Sequence, residues 1–298
     1  MTSQPLIIIA GPTASGKTAQ AIRVAKRIGA EIVSADSQQV YRCFDIGTAK
    51  SSPEELAEVP HHVVDVADPL EDFSAARFQQ LADEAIADIT RRGKRVVVAG
   101  GTGLYLRILL HGVVPAPPAD PELRAQLEAE AERIGREGLW QRLHQVDPET
   151  AARVQKTDLV RIVRALEIHA LTGTTASELR RAHGFAQDRY PFEMFVLEPS
   201  RETLYAAIDT RTQRMFDAGL VDEVRALLSR GFREAAPMAS VGYAQALAVV
   251  EGRLTLDEAI SQAARETRRY AKRQLTWFRR EQGARFIQPP FSELDALS

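Results

Sequence analysis

The fold is decided by one stretch near the start of the chain, Leu6-Ile7-Ile8-Ile9-Ala10-Gly11-Pro12-Thr13-Ala14-Ser15-Gly16-Lys17-Thr18. Its first five residues form a continuous apolar run, which predicts a strand buried on both faces of a parallel sheet. The other eight match the phosphate-loop pattern G-x-x-x-x-G-K-[ST] at the point where a helical pattern begins. A strand, a glycine-containing turn and a helix in this order favour an α/β fold with an anion site at the edge of its sheet.

The phosphate-binding loop, residues 11–18, carries the chemistry of this stretch. Its backbone N–H groups and the N-terminus of the following helix form a cradle for a polyphosphate, and Lys17 adds a positive charge for the outer phosphate groups. The Thr18 hydroxyl suits Mg²⁺. A tight turn with an incidental lysine is the structural alternative, but it does not require the full motif. The loop therefore predicts polyphosphate binding without specifying the ligand.

A carboxylate for the metal is harder to identify. In P-loop enzymes an aspartate after a second strand often helps to hold Mg²⁺. Here the apolar run 96–98 leads into Ala99-Gly100-Gly101-Thr102-Gly103, which has no acidic side chain. Asp65 and Asp68, at the end of the predicted strand 62–66, are candidate substitutes, with loop capping as their alternative role. A site that uses phosphate as a leaving group is the alternative to nucleotide hydrolysis.

The order of segments predicts an interrupted core. Predicted strands at 31–34, 62–66 and 95–99 alternate with helices over the first ~115 residues, which favours right-handed βαβ units. A proline-rich boundary follows, and after it the periodic segments are helical until a strand pattern returns at 192–197. We therefore predict an α/β protein with a P-loop NTPase-like parallel sheet core (1–114 and 191–298) and an all-α insertion domain (115–190).

Composition limits the classes of protein that fit. The chain has 298 residues with one cysteine, Cys43, which excludes a disulfide framework and a cysteine-based zinc site. No apolar run approaches the ~20 residues that span a bilayer, and the N-terminus does not have the pattern of a signal peptide. We expect a cytoplasmic protein with no membrane association and no obligate protein partner. Lys+Arg 38 against Asp+Glu 40 gives no overall excess of positive charge for a nucleic acid.

Positive charge is nevertheless concentrated near the C-terminus. On one predicted helix, all but the last of eight basic residues fall within an arc of about 140°: Arg265, Arg268, Arg269, Lys272, Arg273, Arg279, Arg280 and Arg285. Ala264, Ala271, Leu275 and Phe278 form an apolar face, and Tyr270 and Trp277 lie on a flank, available for stacking or packing. Such a stripe favours contact with a nucleic-acid backbone, the alternative being a solubilising surface helix.

Further motifs occur in a fixed order along the chain. They are Asp36-Ser37-Gln38-Gln39-Val40-Tyr41, Asp45-Ile46-Gly47-Thr48-Ala49-Lys50, Pro60-His61-His62, Gly100-Gly101-Thr102-Gly103-Leu104-Tyr105, Asp147-Pro148, Arg161-Ile162-Val163-Arg164-Ala165-Leu166-Glu167, Val241-Gly242-Tyr243 and Lys272-Arg273-Gln274-Leu275-Thr276-Trp277. With the phosphate loop, this set closely resembles the tRNA dimethylallyltransferase (tRNA isopentenyltransferase) family. The resemblance extends from Gly11 to Arg280, and the ordered set is far more specific than any one motif.

The resemblance implies transfer of a dimethylallyl group from dimethylallyl diphosphate to N6 of the adenosine beside the tRNA anticodon, with release of diphosphate. It implies Mg²⁺ and no consumption of ATP. Asp36 would accept the amine proton, which a weakly nucleophilic amine requires, and Thr102 would position the amine. Lys17 and Arg211 would meet the charge that develops on the diphosphate, with Arg214 one turn further along. Each of these residues also has a structural alternative. Asp36 would cap the local backbone, Thr102 would supply a turn hydroxyl, and the two arginines would lie on a solvated helix face.

The resemblance also implies contacts with the tRNA anticodon stem-loop. The matching residues are Asp36, Ser37, Gln38, Gln39, Arg124, Arg161, Arg164, Arg269, Lys272 and Arg273. This chain departs from the family pattern at Val160, where glutamine is usual, at Ala239-Ser240, where a basic residue often precedes Val-Gly-Tyr, and at Ala244, where arginine is common.

Other functions account for parts of the sequence. A P-loop kinase for a small metabolite or nucleotide would use Asp36 to activate an acceptor hydroxyl, but it leaves the basic C-terminal helix unexplained. A regulatory nucleotide-binding partner of RNA would need no Asp36 at all. An enzyme that prenylates free adenine nucleotide is a closer alternative, against which the insertion and the basic helix argue.

Overall fold

The computed structural model describes residues 4–185 and 187–297. The chain folds into two compact units, one formed by Met1–Leu110 with Arg189–Ser298 and the other by His111–Asp188. The observed boundaries between the units lie at 110/111 and 188/189. They fall four and two residues before the boundaries predicted from the sequence, which are 114/115 and 190/191. The first unit carries the sheet, and the second is built from helices.

Six parallel strands form one sheet in the order β3-β2-β4-β1-β5-β6. Their bounds are β1 Leu6–Ala10, β2 Glu31–Ser34, β3 His61–His62, β4 Val96–Gly100, β5 Phe192–Leu197 and β6 Ala284–Ile287. β1 lies between β4 and β5, with Ile7 opposite both Val97 and Glu193. The P-loop NTPase-like parallel sheet and the return of the chain to it at 192–197 are therefore confirmed.

The third strand is shorter than predicted. The sequence predicts an extended segment over 62–66, whereas β3 ends at His62. Val63 and Asp65 adopt positive φ angles of 63° and 57°, in the left-handed region, so the backbone turns out of the sheet. The apolar residues 63 and 66 pack on the core from this turn instead of from a strand.

Helices connect the strands and form the second unit. In the first unit they are α1 Lys17–Ile28, α2 Pro53–Glu58, α3 Ala75–Arg91 and α4 Gly103–His111, which ends in the second. The second unit continues with α5 Pro121–Val146, α6 Pro148–Ala151, α7 Leu159–Thr172 and α8 Ala176–His183. After β5 come α9 Arg201–Asp217, α10 Leu220–Ser229, α11 Tyr243–Val250 and α12 Leu256–Phe278, with short 3-10 turns at Phe232–Glu234, Ala236–Ala239 and Ser292–Ala296.

The core of the first unit lies on both faces of the sheet. Every residue of β1 is buried, as the apolar run predicts. Ile7 and Ile9 face α1, where Val24 is fully buried, and Ile8 faces the opposite layer with Phe278 of α12. Burying β-branched residues on both faces fixes β1 at the centre of the sheet, which positions the loop that follows it.

The second unit has its own core. Leu127, Leu139, Ile162 and Leu166 pack together, which joins α5 to α7. α5 is interrupted at Gly135, whose φ of 80° and ψ of 156° are not helical. Asp120 caps α5 by accepting a hydrogen bond from the backbone N–H of Leu123 at 3.0 Å, and Pro121 is the first residue of the helix. Among the described residues, no helix in either unit is long and apolar enough to cross a membrane.

Candidate active site

The phosphate loop has the backbone that its sequence predicts. It leaves the end of β1, and α1 begins at Lys17. Gly16 precedes the helix in the left-handed region, at a φ of 85°, and because glycine has no side chain it cannot cap the helix. The N–H groups of the first turn are therefore available to an anion, and the helix dipole favours negative charge there.

A cavity of about 380 Å³ opens beside this loop, in the first unit. It lies where the chain leaves the carboxyl ends of β1, β2 and β4, which is where ligands bind in open parallel sheets. Eight of the residues predicted for the site line it: Thr13, Lys17, Thr18, Asp36, Ser37, Gln38, Gln39 and Arg211. The structure thus brings together residues from the phosphate loop, the turn after β2 and α9.

Lys17 is partly buried and lines the cavity. Its burial lowers the pKa to about 8, although the nearby Asp36 carboxylate raises it and Arg211 lowers it further. The ammonium group lies 3.4 Å from the carbonyl oxygen of Pro12, within the same loop. A buried cation with a depressed pKa gains from a bound anion, because the anion restores the stabilisation that water no longer provides.

Arg211 reaches the phosphate loop from α9. Its Nη1 donates a hydrogen bond to the Thr13 hydroxyl at 3.0 Å, and burial lowers the pKa of the guanidinium group, an effect that Asp36 opposes. Arg214, predicted to share this task, is exposed and is not among the described residues that line the cavity. The structure therefore distinguishes two arginines that the sequence left equivalent.

Asp36 lies in a tight turn after β2. Its Oδ1 accepts hydrogen bonds from the backbone N–H groups of Gln38 at 2.9 Å and Gln39 at 3.4 Å. The capping role that the sequence offers as an alternative is therefore real, but the same carboxylate also lines the cavity. The turn fixes the orientation of the carboxylate, which a proton acceptor in a cavity requires.

Thr102 supports this turn from the loop after β4. Its hydroxyl accepts a hydrogen bond from the backbone N–H of Ser37 at 3.0 Å and lies 3.3 Å from the Ser37 hydroxyl. Its own backbone N–H donates to the carbonyl of Ala35. Thr102 is not among the described residues that line the cavity, so its contact with the turn is the one that the structure records.

The candidate substitute carboxylates for a metal lie elsewhere. Asp65 is paired with Lys50, and Asp68 with Arg42 at 3.4 Å. Neither is among the described residues that line the cavity, and each has a basic partner instead. Within residues 4–185 and 187–297, no three His, Cys, Asp or Glu side chains cluster as a metal site.

Two arginines predicted to contact RNA are held by an acid in the second unit. Glu167 is fully buried, and it accepts hydrogen bonds from Arg124 Nε at 2.8 Å and from Arg164. Arg164 also donates to the carbonyl of Pro117. Arg161 differs, because its side chain is 66% exposed and contacts Asp158 at the helix N-terminus. These contacts give Arg124 and Arg164 a structural role that the sequence did not indicate.

The basic stripe is shorter than predicted. α12 ends at Phe278, so Arg279 and Arg280 follow the helix, and Arg285 lies in β6. The expected apolar face is confirmed at Ala264, Ala271 and Phe278, which are buried.

Several charges of the stripe have acidic partners. Arg268 pairs with Asp209, Arg269 with Glu266 and Arg279 with Glu198. Lys272 and Arg273 are exposed, and the Arg273 guanidinium lies 5.6 Å from the Tyr270 ring. Of the basic residues within α12, Lys272 and Arg273 present the clearest charge to solvent.

Trp277, expected on a flank of α12, is packed. The Arg107 guanidinium lies 4.4 Å from its ring centroid. A Cβ at Gly103 would come within 2.2 Å of the indole, so the loop after β4 is in direct contact with it. Packing, the second of the two roles considered for this side chain, is the one that the structure records.

Comparisons with known proteins identify the family. A family model described as IPP transferase matches residues 39–281, which is most of the chain. The chain belongs to the IPP transferase family. A tRNA dimethylallyltransferase of Myxococcus xanthus is 64% identical over 286 residues, covering 96% of this chain and 93% of that protein.

Solved structures of IPP transferases have the same fold. A full-length tRNA isopentenylpyrophosphate transferase from Bacillus halodurans is 40% identical, with a TM-score of 0.69, covering 96% of this chain and 90% of that one. A eukaryotic dimethylallyltransferase captured acting on tRNA is 27% identical, with a TM-score of 0.78, covering 99% of this chain and 77% of that one.

Two further residues contact the site of this IPP transferase without a predicted role. Gln274 of α12 is buried and lines the cavity, and Glu223 of α10 accepts hydrogen bonds from the backbone N–H groups of Asp45 at 3.0 Å and Ile46 at 2.7 Å. Tyr243 donates to Glu223, which secures the loop next to the cavity. For Gln274 a signal existed, because a polar residue falls beside the apolar face of α12. No feature of the sequence indicated a role for Glu223.

Proposed function

We propose that this protein transfers a dimethylallyl group from dimethylallyl diphosphate to N6 of the adenosine adjacent to the anticodon of a tRNA. Family membership gives the reaction class. The observation that carries the proposal is one cavity lined by two partly buried cations, Lys17 and Arg211, together with the carboxylate of Asp36. A polyanionic leaving group and a proton acceptor are what such a transfer needs.

The donor diphosphate would lie in the phosphate loop. Backbone N–H groups at the start of α1, Lys17 and Arg211 supply positive charge to the oxygens, and these groups are fixed before the donor binds. When the bond between C1 and oxygen breaks, the electron pair leaves with the diphosphate. Charge that develops on that oxygen is therefore stabilised by groups that need no rearrangement.

A divalent cation fits the same end of the cavity. Thr18 lines it, and Mg²⁺ ordinarily combines one or two protein oxygens with water and substrate phosphate oxygens. Thr18 would hold the ion, with the diphosphate supplying further oxygens. Bound there, Mg²⁺ would neutralise part of the charge on the leaving group.

The acceptor amine would approach from the side of Asp36. As the bond between N6 and C1 forms, the nitrogen must lose a proton, and the Asp36 carboxylate accepts it. Thr102 holds the turn that carries Asp36 through Ser37, so it acts on the acceptor side of the reaction. The target base must leave its stack to reach a cavity of this kind.

The tRNA would be bound through positive charge outside the cavity. Lys272 and Arg273 on α12 and Arg161 on α7 are exposed. Backbone contacts of this type provide affinity, while Ser37, Gln38 and Gln39, which line the cavity, are positioned to contact the base and its neighbours. The proposed tRNA substrate and the single cysteine also support a cytoplasmic location.

The test is a transfer assay. The protein is incubated with Mg²⁺, dimethylallyl diphosphate and unmodified tRNA, and the nucleosides of the digested tRNA are weighed by mass spectrometry. We expect one adenosine to gain a dimethylallyl group with release of one diphosphate, and we expect no change in added ATP.

Matched reactions separate the alternatives. Unmodified adenosine after incubation with folded protein would exclude the proposal. Phosphorylation of a small acceptor at the expense of ATP would favour a kinase. Prenylation of free AMP at a rate that exceeds transfer to tRNA would identify the nucleotide enzyme instead.

A further inference from the structure

Gln274 joins two loops that are far apart in the sequence. Its Oε1 accepts a hydrogen bond from the backbone N–H of Thr13 at 2.9 Å, in the phosphate loop. Its Nε2 donates to the carbonyl of Gly101 at 2.8 Å, in the loop after β4. One amide therefore fixes a donor on one loop and an acceptor on the other, and it does so from a third element, α12.

The contact is close and buried. Gln274 is 7% exposed, and a Cβ placed at Gly101 would lie 2.4 Å from Nε2, which is too near for any side chain there. The Gly103 and Trp277 contact one turn further along adds a second fixed point. α12 thus contacts the chain after β4 at two positions, Gly101 and the first residue of α4, which keeps the amide close to the Gly101 carbonyl.

The two loops serve opposite sides of the proposed reaction. Thr13 is hydrogen bonded to Arg211 and belongs to the cradle for the leaving group. Gly101 precedes Thr102, which holds the turn that carries Asp36. The spacing between these loops therefore sets the spacing between the diphosphate site and the proton acceptor.

We propose that Gln274 is a positioning residue that holds the phosphate loop and the Gly101–Thr102 loop at the separation needed for transfer. This inference rests on the proposed function and goes beyond it, since it assigns a role to a side chain that touches neither reacting atom. A displacement of about 1 Å between reacting groups can cost about 100-fold in rate, so a bridge of two hydrogen bonds is sufficient to matter.

The test uses two independent perturbations of the bridge. Gln274→Met keeps the volume and removes both hydrogen bonds, and Gly101→Ala displaces the amide while leaving Gln274 in place. We expect each to lower kcat by about tenfold or more and to raise KM for dimethylallyl diphosphate, because the two loops lose their fixed separation. The dissociation constant for tRNA should change by less than about twofold, since the exposed cations of α12 are untouched.

Gln262→Met is the matched control, because Gln262 lies about three turns earlier on α12 and is not among the described cavity-lining residues. It should leave kcat unchanged. Active sites are counted with labelled donor, and thermal unfolding is measured for all three variants. A kcat per active site at the wild-type level in both bridge variants, with only a lower Tm, would overturn the inference. Failure of the wild-type protein to transfer at all would instead overturn the proposed function.

Discussion

Arg211 donates a hydrogen bond to the hydroxyl of Thr13 at 3.0 Å, which ties α9 to the phosphate loop across 198 residues of sequence. The guanidinium group is held at the loop by a neutral partner, so its charge is not neutralised by that bond. With Lys17 also partly buried nearby, the site carries positive charge in a region that water screens less than it screens the open surface. A polyanion that enters the cavity meets cations that are already in position.

Substitution of Asp36 should lower the rate of catalysis without weakening tRNA binding. Asp36→Asn keeps an oxygen that can accept from the N–H groups of Gln38 and Gln39, so the turn should persist, but the amide cannot take a proton. We expect kcat to fall about 100-fold or more with tRNA affinity nearly unchanged. Single-turnover transfer and a filter-binding titration measure the two quantities.

Asp36→Ala is the companion variant, because it removes the cap as well as the proton acceptor. It should lose turnover and also lower the thermal stability by the equivalent of about 1 kcal/mol. Weak tRNA binding by Asp36→Asn would instead make the carboxylate a binding group.

The depressed pKa of Lys17 should appear in the pH dependence of donor capture. The pKa in the free protein is about 8, so the ammonium charge is present below that pH and is lost above it. Because kcat/KM reports groups of the free enzyme, kcat/KM for dimethylallyl diphosphate should fall as the pH rises through about 8. Bound diphosphate raises the pKa again, so kcat should fall only at higher pH.

Lys17→Arg tests this assignment, because a guanidinium group keeps its charge throughout the accessible range. The variant should bind the donor less well at pH 7, since its geometry differs, but its kcat/KM should no longer decline near pH 8. A decline that persists in Lys17→Arg would point to another titrating group.

Exposed charge on α12 should set the salt dependence of tRNA binding. Replacing both Lys272 and Arg273 with alanine should reduce the slope of log K against log salt concentration by about 2, since each cation neutralises about one phosphate. Arg91→Ala with Arg225→Ala removes the same charge from α3 and α10 and should leave the slope unchanged. Equal slopes for the two double variants would mean that α12 is not part of the tRNA interface.

Glu167 should contribute mainly to stability. Although burial raises its pKa, hydrogen bonds from Arg124 and Arg164 lower it below the usual value, so the carboxylate is charged in the folded protein. Glu167→Ala should destabilise the second unit by about 2 kcal/mol, because two arginines lose a charged partner. Calorimetry measures the loss.

Arg161→Ala provides the comparison for that measurement. Its side chain is exposed, so the substitution should leave the stability unchanged while lowering tRNA affinity. A large loss of stability in Arg161→Ala, or none in Glu167→Ala, would reverse the roles assigned to them.

Much of the sheet follows from local pattern. The buried run 6–10 and the motif after it specify a strand, a loop and a helix within 23 residues, from Leu6 to Ile28, and the structure has all three. The hydrogen bonds of the Asp36 carboxylate are also local, since they reach only to residues 38 and 39, whereas the support of the turn by Thr102 is not. Contacts of this range depend on neighbouring residues, so the sequence alone is sufficient to predict them.

The remaining features depend on which elements meet. The pairing of Arg268 with Asp209 and of Arg124 with Glu167 joins different helices, and helix periodicity gives the face of a charge but not the acid opposite it. The end of α12 at Phe278 likewise follows from the strand β6 that comes next. These partners explain why the basic stripe predicted for α12 is only partly available.

The bridge from Thr13 to Gln274 spans 261 residues, and this has a consequence for synthesis. A ribosome that adds about 5–20 residues per second produces Gln274 roughly 13–52 seconds after Thr13. During that interval the nascent chain carries a phosphate loop without the amide of Gln274, and the arginine of α9, Arg211, is added 63 residues before that amide. Truncated products that end before Gln274 lack this bridge, so they should transfer more slowly than the full chain.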